Sequence, residues 1–152
     1  MKILVTVGTG AFDSLVGYIS DNNELAQHNI TLQFGKGKET KNKKGNITAV
    51  RFIHDISLSY SDYDLIITHC GAGTVFPLLE LGANFIAVPN VDRIDKHQLE
   101  LAKYLNDNRL CPVCFDQSCL SDMVNSYDSS LYVEYEKEDF FISDEVMFFI
   151  NN

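Results

Sequence analysis

Positive charge is scarce in this sequence. Lys and Arg total 12 against 21 Asp and Glu, a formal net charge of −9. Nucleic-acid binding in general wants a basic footprint, and this balance argues against it. Long apolar runs are missing as well. Hydrophobic residues make up 45% of the chain, yet no run approaches the roughly 20 residues of a membrane helix. A signal-peptide pattern is also absent, because Met1-Lys2 passes directly into a strand-like run ending at Gly8. The expectation is a globular, cytoplasmic protein. At 152 residues, 1–152 reads as a single domain with one core. It shows no internal repeat, low-complexity tract or linker.

Metal and redox signatures are incomplete. Of four cysteines, Cys111-Pro112-Val113-Cys114 forms a CxxC, with Cys119 nearby and Cys70 far off in sequence. A structural zinc site wants a second pair, which is missing. A redox CxxC opens a helix, whereas this one lies in a strand-like run from Arg109 to Phe115. Reduced thiols in or near the core are therefore expected. No Walker loop, Ser–His–Asp set or carboxylate-rich metal cluster is evident, and no metal is expected. The full GxGxxG with a downstream acid, which would mark an unrelated Rossmann dinucleotide binder, is also lacking after the first strand.

What is present is an alternation of apolar strands and helices. Strands are predicted at Lys2–Val7, Ile30–Phe34, Ile47–Phe52, Leu65–Thr68, Asn84–Val88 and Leu110–Phe115. Helices are predicted from Asp13, as cap, to about Gln27, over Thr74–Leu81, from Asp95 to Asn106, and near 117–126, with a short helical stretch near 55–62. Pro77 falls in a first helical turn, where proline is tolerated. Continuous apolar strands alternating with helices predict an α/β fold: a Rossmann-like parallel sheet with helices on both faces.

Ligands of such sheets bind beyond the carboxyl ends of the strands. Three segments fall there: Gly8-Thr9-Gly10, His69 to Thr74, and Pro89 to Gln98. Gly8-Thr9-Gly10 reads as a short phosphate loop or as a tight strand-to-helix turn. In His69-Cys70-Gly71-Ala72-Gly73-Thr74 the two glycines let backbone pass close to a ligand. The helix that follows aims its unpaired N–H groups at the same spot. Thr74 adds a hydroxyl, and also reads as an N-cap. That suits the diphosphate of a nucleotide or nucleotide-sugar. Glu80 reads as a ribose-binding carboxylate or as a surface residue, and His69 as a donor to phosphate or sugar oxygen or as a structural histidine. His97 and Gln98 face the ligand edge, although Asp95 and Gln98 also match a capping box.

The set Val5-Thr6-Val7-Gly8-Thr9 with Phe12-Asp13-Ser14-Leu15, His69-x-Gly71-Ala72-Gly73-Thr74, Glu80-x-Gly82 and His97-Gln98-Leu99-Glu100-Leu101-Ala102 resembles the C-terminal domain of glycosyltransferase family 28. Within the family it looks like the small stand-alone members: the cytosolic subunit of the dolichol-linked UDP-GlcNAc transferase and bacterial PssE-like subunits of polysaccharide synthesis. The likeness covers about residues 1–115. Val91 to Lys96 is shorter than in many bacterial members, which leaves the bacterial and eukaryotic types undivided.

The resemblance implies the donor half of a GT-B glycosyltransferase, binding a UDP-sugar without a metal or other cofactor. Gly71, Ala72, Gly73 and Thr74 would cradle the diphosphate and Glu80 would hold the ribose. His97 and Gln98 would touch the donor sugar, with Thr9 and Gly10 lining the cleft opposite. A membrane-associated, PssD-like partner would supply the acceptor half, a lipid-linked acceptor and the general base, with His69 as the catalytic candidate on this chain. A non-catalytic enhancer subunit is the alternative. The apolar end, with Phe140, Phe141, Ile142 and Val146 to Ile150, packs on the chain's own fold or makes 140–152 a partner-docking tail. Lys36, Lys38, Lys41, Lys43 and Lys44 form a solvated loop or a patch for anionic lipid.

Overall fold

The computed structural model describes residues 1–40, 44–92 and 97–137. The apolar tail with its docking expectation, Lys41, Lys43 and the Asp95 half of the capping box lie outside them.

Five short strands form one sheet: β1 (Lys2–Thr6), β2 (Asn29–Gln33), β3 (Asn46–Val50), β4 (Leu65–His69) and β5 (Phe85–Val88). Their spatial order is β3-β2-β1-β4-β5 and every pairing is parallel. The chain winds outward from β1 through β2 and β3, then crosses back to β4 and β5. The order therefore reverses between β1 and β4, the position where open parallel sheets leave a crevice for ligands.

Side chains alternate across a strand, and here both alternations are apolar. Ile3 and Val5 of β1, Ile67 of β4 and Val88 of β5 share one buried cluster with Leu15, Val16 and Ile19 of α1 (Asp13–Asp21) and with Leu120 and Val124 of α4 (Leu120–Asn125). Leu4, Ile66, Phe85 and Ala87 face the other way. They pack with Val75 and Leu78 of α2 (Ala72–Glu80) and with Ala102 and Leu105 of α3 (His97–Asp107). Helices thus cover both faces, as the continuous apolar strands require. No helix of the described residues is long and apolar enough to cross a membrane.

Several boundaries differ from those read in sequence. The helix expected to reach Gln27 stops at Asp21. There the Asn22 side chain accepts from the backbone N–H of Glu24 (2.8 Å) and Leu25 (3.1 Å), starting a separate 3-10 turn over Leu25–Gln27. Asp13 is not the cap of α1; Phe12 holds that position. The Asp13 carboxylate instead accepts from the Lys38 N–H at 2.9 Å. The last strand, expected over Leu110–Phe115, contracts to a single bridge between Ala87 and Val113. Arg109 turns the chain with φ 54 just before it. Pro112 has no N–H to extend the ladder, although its carbonyl accepts from Ala87 at 3.0 Å. Pro77 lies in the second turn of α2, because the helix begins at Ala72 rather than Thr74. Gly73 C=O consequently has no i+4 N–H to accept from.

Candidate functional site: a cleft at the sheet switch point

His69 closes β4 at the switch point, and its ring is held by glycines from two loops. A Cβ on Gly8 would stand 2.6 Å from His69 Cε1, and Gly8 has φ +65. A Cβ on Gly71 would overlap His69 Nε2 and stand 2.9 Å from Cδ2. The imidazole thus occupies the space that side chains at 8 and 71 would fill. On the strand itself, Thr68 Oγ1 lies 3.4 Å from His69 Nδ1. Gly71 makes room for His69, then, whereas Gly73 has nothing within 4 Å of its missing Cβ and opens on the cleft. The sequence reading gave both glycines one role; the structure divides them.

A buried polar group fixes the loop after β1. Thr6 and Gln33 are register partners on adjacent strands. Thr6 Oγ1 donates to Gln33 Oε1 (2.9 Å), Gly8 N–H donates to Thr6 Oγ1 (3.2 Å), and Gln33 Nε2 donates to Gly8 C=O (3.2 Å). Every partner is satisfied, so the network can hold Gly8 rigidly beneath the imidazole. Gly10 C=O accepts from Lys36 N–H at 2.9 Å, tying this loop to the one after β2.

The cleft has two compartments that share Thr9 and His69. The first, about 410 Å³, runs from Phe52, Ile53 and Ile56 to Gly71, Gly73 and Thr74, over a floor of Thr6, Gly8 and Gln33. One end is apolar, with Phe52 50% exposed; the other is the amino end of α2. The first N–H groups of a helix lack i−4 acceptors and carry the positive end of its dipole; here the Thr74 N–H is taken by Gly71 C=O, which leaves those of Ala72 and Gly73. The second compartment, about 320 Å³, is bounded by Gly10, Ala11, Lys36, Asn90 and Gln98. Gln98 Oε1 accepts from Asn90 N–H (3.0 Å), and Asn90 Nδ2 donates to Ala11 C=O (2.8 Å). No Asp or Glu lines either compartment among the described residues, although the chain carries 21 such residues.

Seven residues picked out in the sequence thus converge: Thr9, Gly10, His69, Gly71, Gly73, Thr74 and Gln98. Thr74 is the third residue of α2 and its N–H donates to Gly71 C=O (2.9 Å), so Gly71, not Thr74, is the cap. Ala72 is exposed in the same first turn but lines neither compartment. Glu80 ends α2, roughly 12 Å along the axis from Ala72 at the usual helical rise. Its carboxylate lies 3.0 Å from Lys137 Nζ. His97 opens α3 with its side chain 87% exposed and Nδ1 3.6 Å from Glu100. Gln33, Lys36, Phe52, Ile53 and Asn90 were missed. Each follows or ends a strand at the carboxyl edge, and that position was the available signal.

Among the described residues no group of three or more His, Cys, Asp or Glu could hold a metal ion. Cys70, Cys111 and Cys114 are buried and Cys119 exposed, all unbridged. Burial pushes the Cys111 thiol up to about 12 and Cys114 to about 11, and raises Cys70 as well.

The family model "Glycosyltransferase family 28 C-terminal domain" matches residues 2–136. The chain belongs to this family. As a family 28 C-terminal domain it is 31% identical over 115 residues to the UDP-N-acetylglucosamine transferase subunit ALG13 of Mus musculus. That match covers 69% of this chain and 10% of the relative. It is 32% identical over 85 residues to the UDP-N-acetylglucosamine–N-acetylmuramyl-(pentapeptide) pyrophosphoryl-undecaprenol N-acetylglucosamine transferase of Acinetobacter baumannii, covering 56% of this chain and 23% of the relative. In fold it matches the NMR solution structure of ALG13, with TM-score 0.62, 15% identity, and 95% and 93% of the two chains covered. The matched stretch spans only a small part of either relative's length.

Proposed function

We propose that this domain is the donor-binding catalytic subunit of a two-component inverting glycosyltransferase. It transfers a sugar, N-acetylglucosamine by analogy with the relatives' names, from a UDP-sugar to a lipid-diphosphate-linked acceptor in glycan or polysaccharide synthesis. The observation that carries this reading is the cleft at the switch point, free of Asp and Glu among the described residues, apolar at Phe52 and Ile53 and headed by the amino end of α2. Such a cleft suits a nucleoside at one end and a diphosphate at the other.

The chemistry follows from that placement. An acceptor hydroxyl attacks the anomeric carbon, the bond to the diphosphate oxygen breaks, and configuration inverts. Negative charge grows on the departing UDP, where the Ala72 and Gly73 N–H groups at the start of α2 and the Thr74 hydroxyl stabilise it without a metal. Ala72, in that first turn, belongs to the same cradle. Thr9, Gly10, His97 and Gln98 flank the donor sugar. His69, between the compartments, is the residue of this chain placed to donate to a phosphate oxygen or carry a proton. The base that deprotonates the acceptor comes from a membrane-associated, PssD-like partner, which recruits the domain to the cytoplasmic face.

Calorimetry with a series of uridine compounds tests the reading. UDP should bind at least about tenfold more tightly than UMP, since a second phosphate adds charge-assisted hydrogen bonds. Equal affinity for uridine and UDP contradicts the diphosphate site.

A further inference from the structure

The second compartment contains a cation that the family resemblance did not assign. Lys36 lines it together with Asn90 and Gln98. The side chain is exposed and has no acidic partner among the described residues. Its backbone is nevertheless held in place. Lys36 N–H donates to Gly10 C=O (2.9 Å), and Gly35 N–H donates to Arg51 C=O (2.9 Å). Gly35 has φ +61, and a Cβ there would overlap Gly10 C=O and lie 2.9 Å from Gly8 C=O. A Cβ on Gly37 would overlap the Asp13 carboxylate. That carboxylate is engaged by Lys38 N–H.

A lysine on a clamped loop, lining a compartment with no Asp or Glu among the described residues in a chain of net charge −9, is an arrangement for binding an anion. The neighbouring groups agree. Gln98 uses its Oε1 on Asn90, which leaves its amide N–H groups as donors, and Thr9 adds a hydroxyl. We propose that Lys36 is the counter-charge for a phosphate group in the second compartment. This rests on the donor-site reading above. The phosphate comes either from the second phosphate of the donor or from the diphosphate of the acceptor, and both present the same oxyanions to the ammonium.

The test titrates inorganic pyrophosphate, UDP and UMP into the full chain and into Lys36→Gln and Lys36→Arg. Calorimetry is run at low salt, with matching circular dichroism spectra as the folding control. Lys36→Gln should weaken pyrophosphate binding roughly five- to thirtyfold, and Lys36→Arg should restore it to within about threefold. If Lys36→Gln also weakens UDP but not UMP, the phosphate is the donor's. If UDP affinity is unchanged while pyrophosphate still binds the UDP-saturated protein and loses that binding in Lys36→Gln, it is a second diphosphate, as in the acceptor. Pyrophosphate and UDP affinities that are both within twofold of the unsubstituted chain overturn the proposal. A chain that binds pyrophosphate through Lys36 but shows no preference for UDP would defeat the donor-site reading and leave this one standing.

Discussion

Replacing Gly71 with alanine should cost more while His69 keeps its ring than after the ring is removed. Gly71 has φ −93 and ψ 125, which any L-residue adopts, so the backbone is not strained. A Cβ at this position overlaps His69 Nε2, and overpacking of this kind costs about 1–3 kcal/mol. Alanine is also a poorer N-cap than glycine, by about 0.5–1 kcal/mol. In a His69→Ala background the overlap disappears and the capping cost alone remains. Urea unfolding of the two single variants and the double variant should give a coupling of about 1–3 kcal/mol. Gly8→Ala is the control. It meets the same ring at 2.6 Å but has φ +65, so a backbone cost of about 1–2 kcal/mol persists without the imidazole. A Gly71→Ala cost that is the same with and without the ring would refute the placement of His69 between the two loops.

Other outcomes follow from the same geometry. Gly73→Ala should leave stability unchanged or raise it by about 0.5–1 kcal/mol, as alanine does within a helix, yet weaken UDP by calorimetry, because its Cβ enters the open cleft; unchanged affinity would place the diphosphate elsewhere. Glu80→Ala separates the ribose role from the observed pairing with Lys137: affinity for UDP within about twofold of the unsubstituted chain is the result its far-end position predicts, and a tenfold loss would restore the ribose assignment. With thiol reagent, Cys119 should react quickly and the three buried cysteines only on unfolding. Their raised pKa values mean that the unfolded chain releases protons first. The stability they contribute is therefore intact below the ordinary thiol value of 9.0 and lost as pH rises toward 11 to 12. Melting temperature should fall over that range and fall less steeply in Cys111→Ala.

Much of this was readable in the sequence because strand burial and turn chemistry are local signals. Apolar runs such as Leu65–Ile67 announce a strand covered on both faces, and Gly8 and Gly71 mark where backbone passes something closely. What glycine cannot say is what it passes: only the fold shows that Gly8 and Gly71 enclose His69 while Gly73 stays open. Asn22 and Pro112 cut elements short through a side-chain hydrogen bond and a missing N–H, effects that apolar periodicity does not register. Lys36 and Phe52 were illegible as site residues because their role depends on β2 and β3 lying beside β1, a long-range pairing. Thr74 was placed in the right helix but at the wrong position, since the helix starts two residues earlier.

The most direct test of the account is a structure of this domain determined with UDP bound. The account predicts the diphosphate against the amino end of α2, within hydrogen-bond distance of Thr74 Oγ1 and the Gly73 N–H, with uracil toward Phe52 and Ile53. Nucleotide bound away from the switch point, or a diphosphate contacting neither Gly73 nor Thr74, would contradict it.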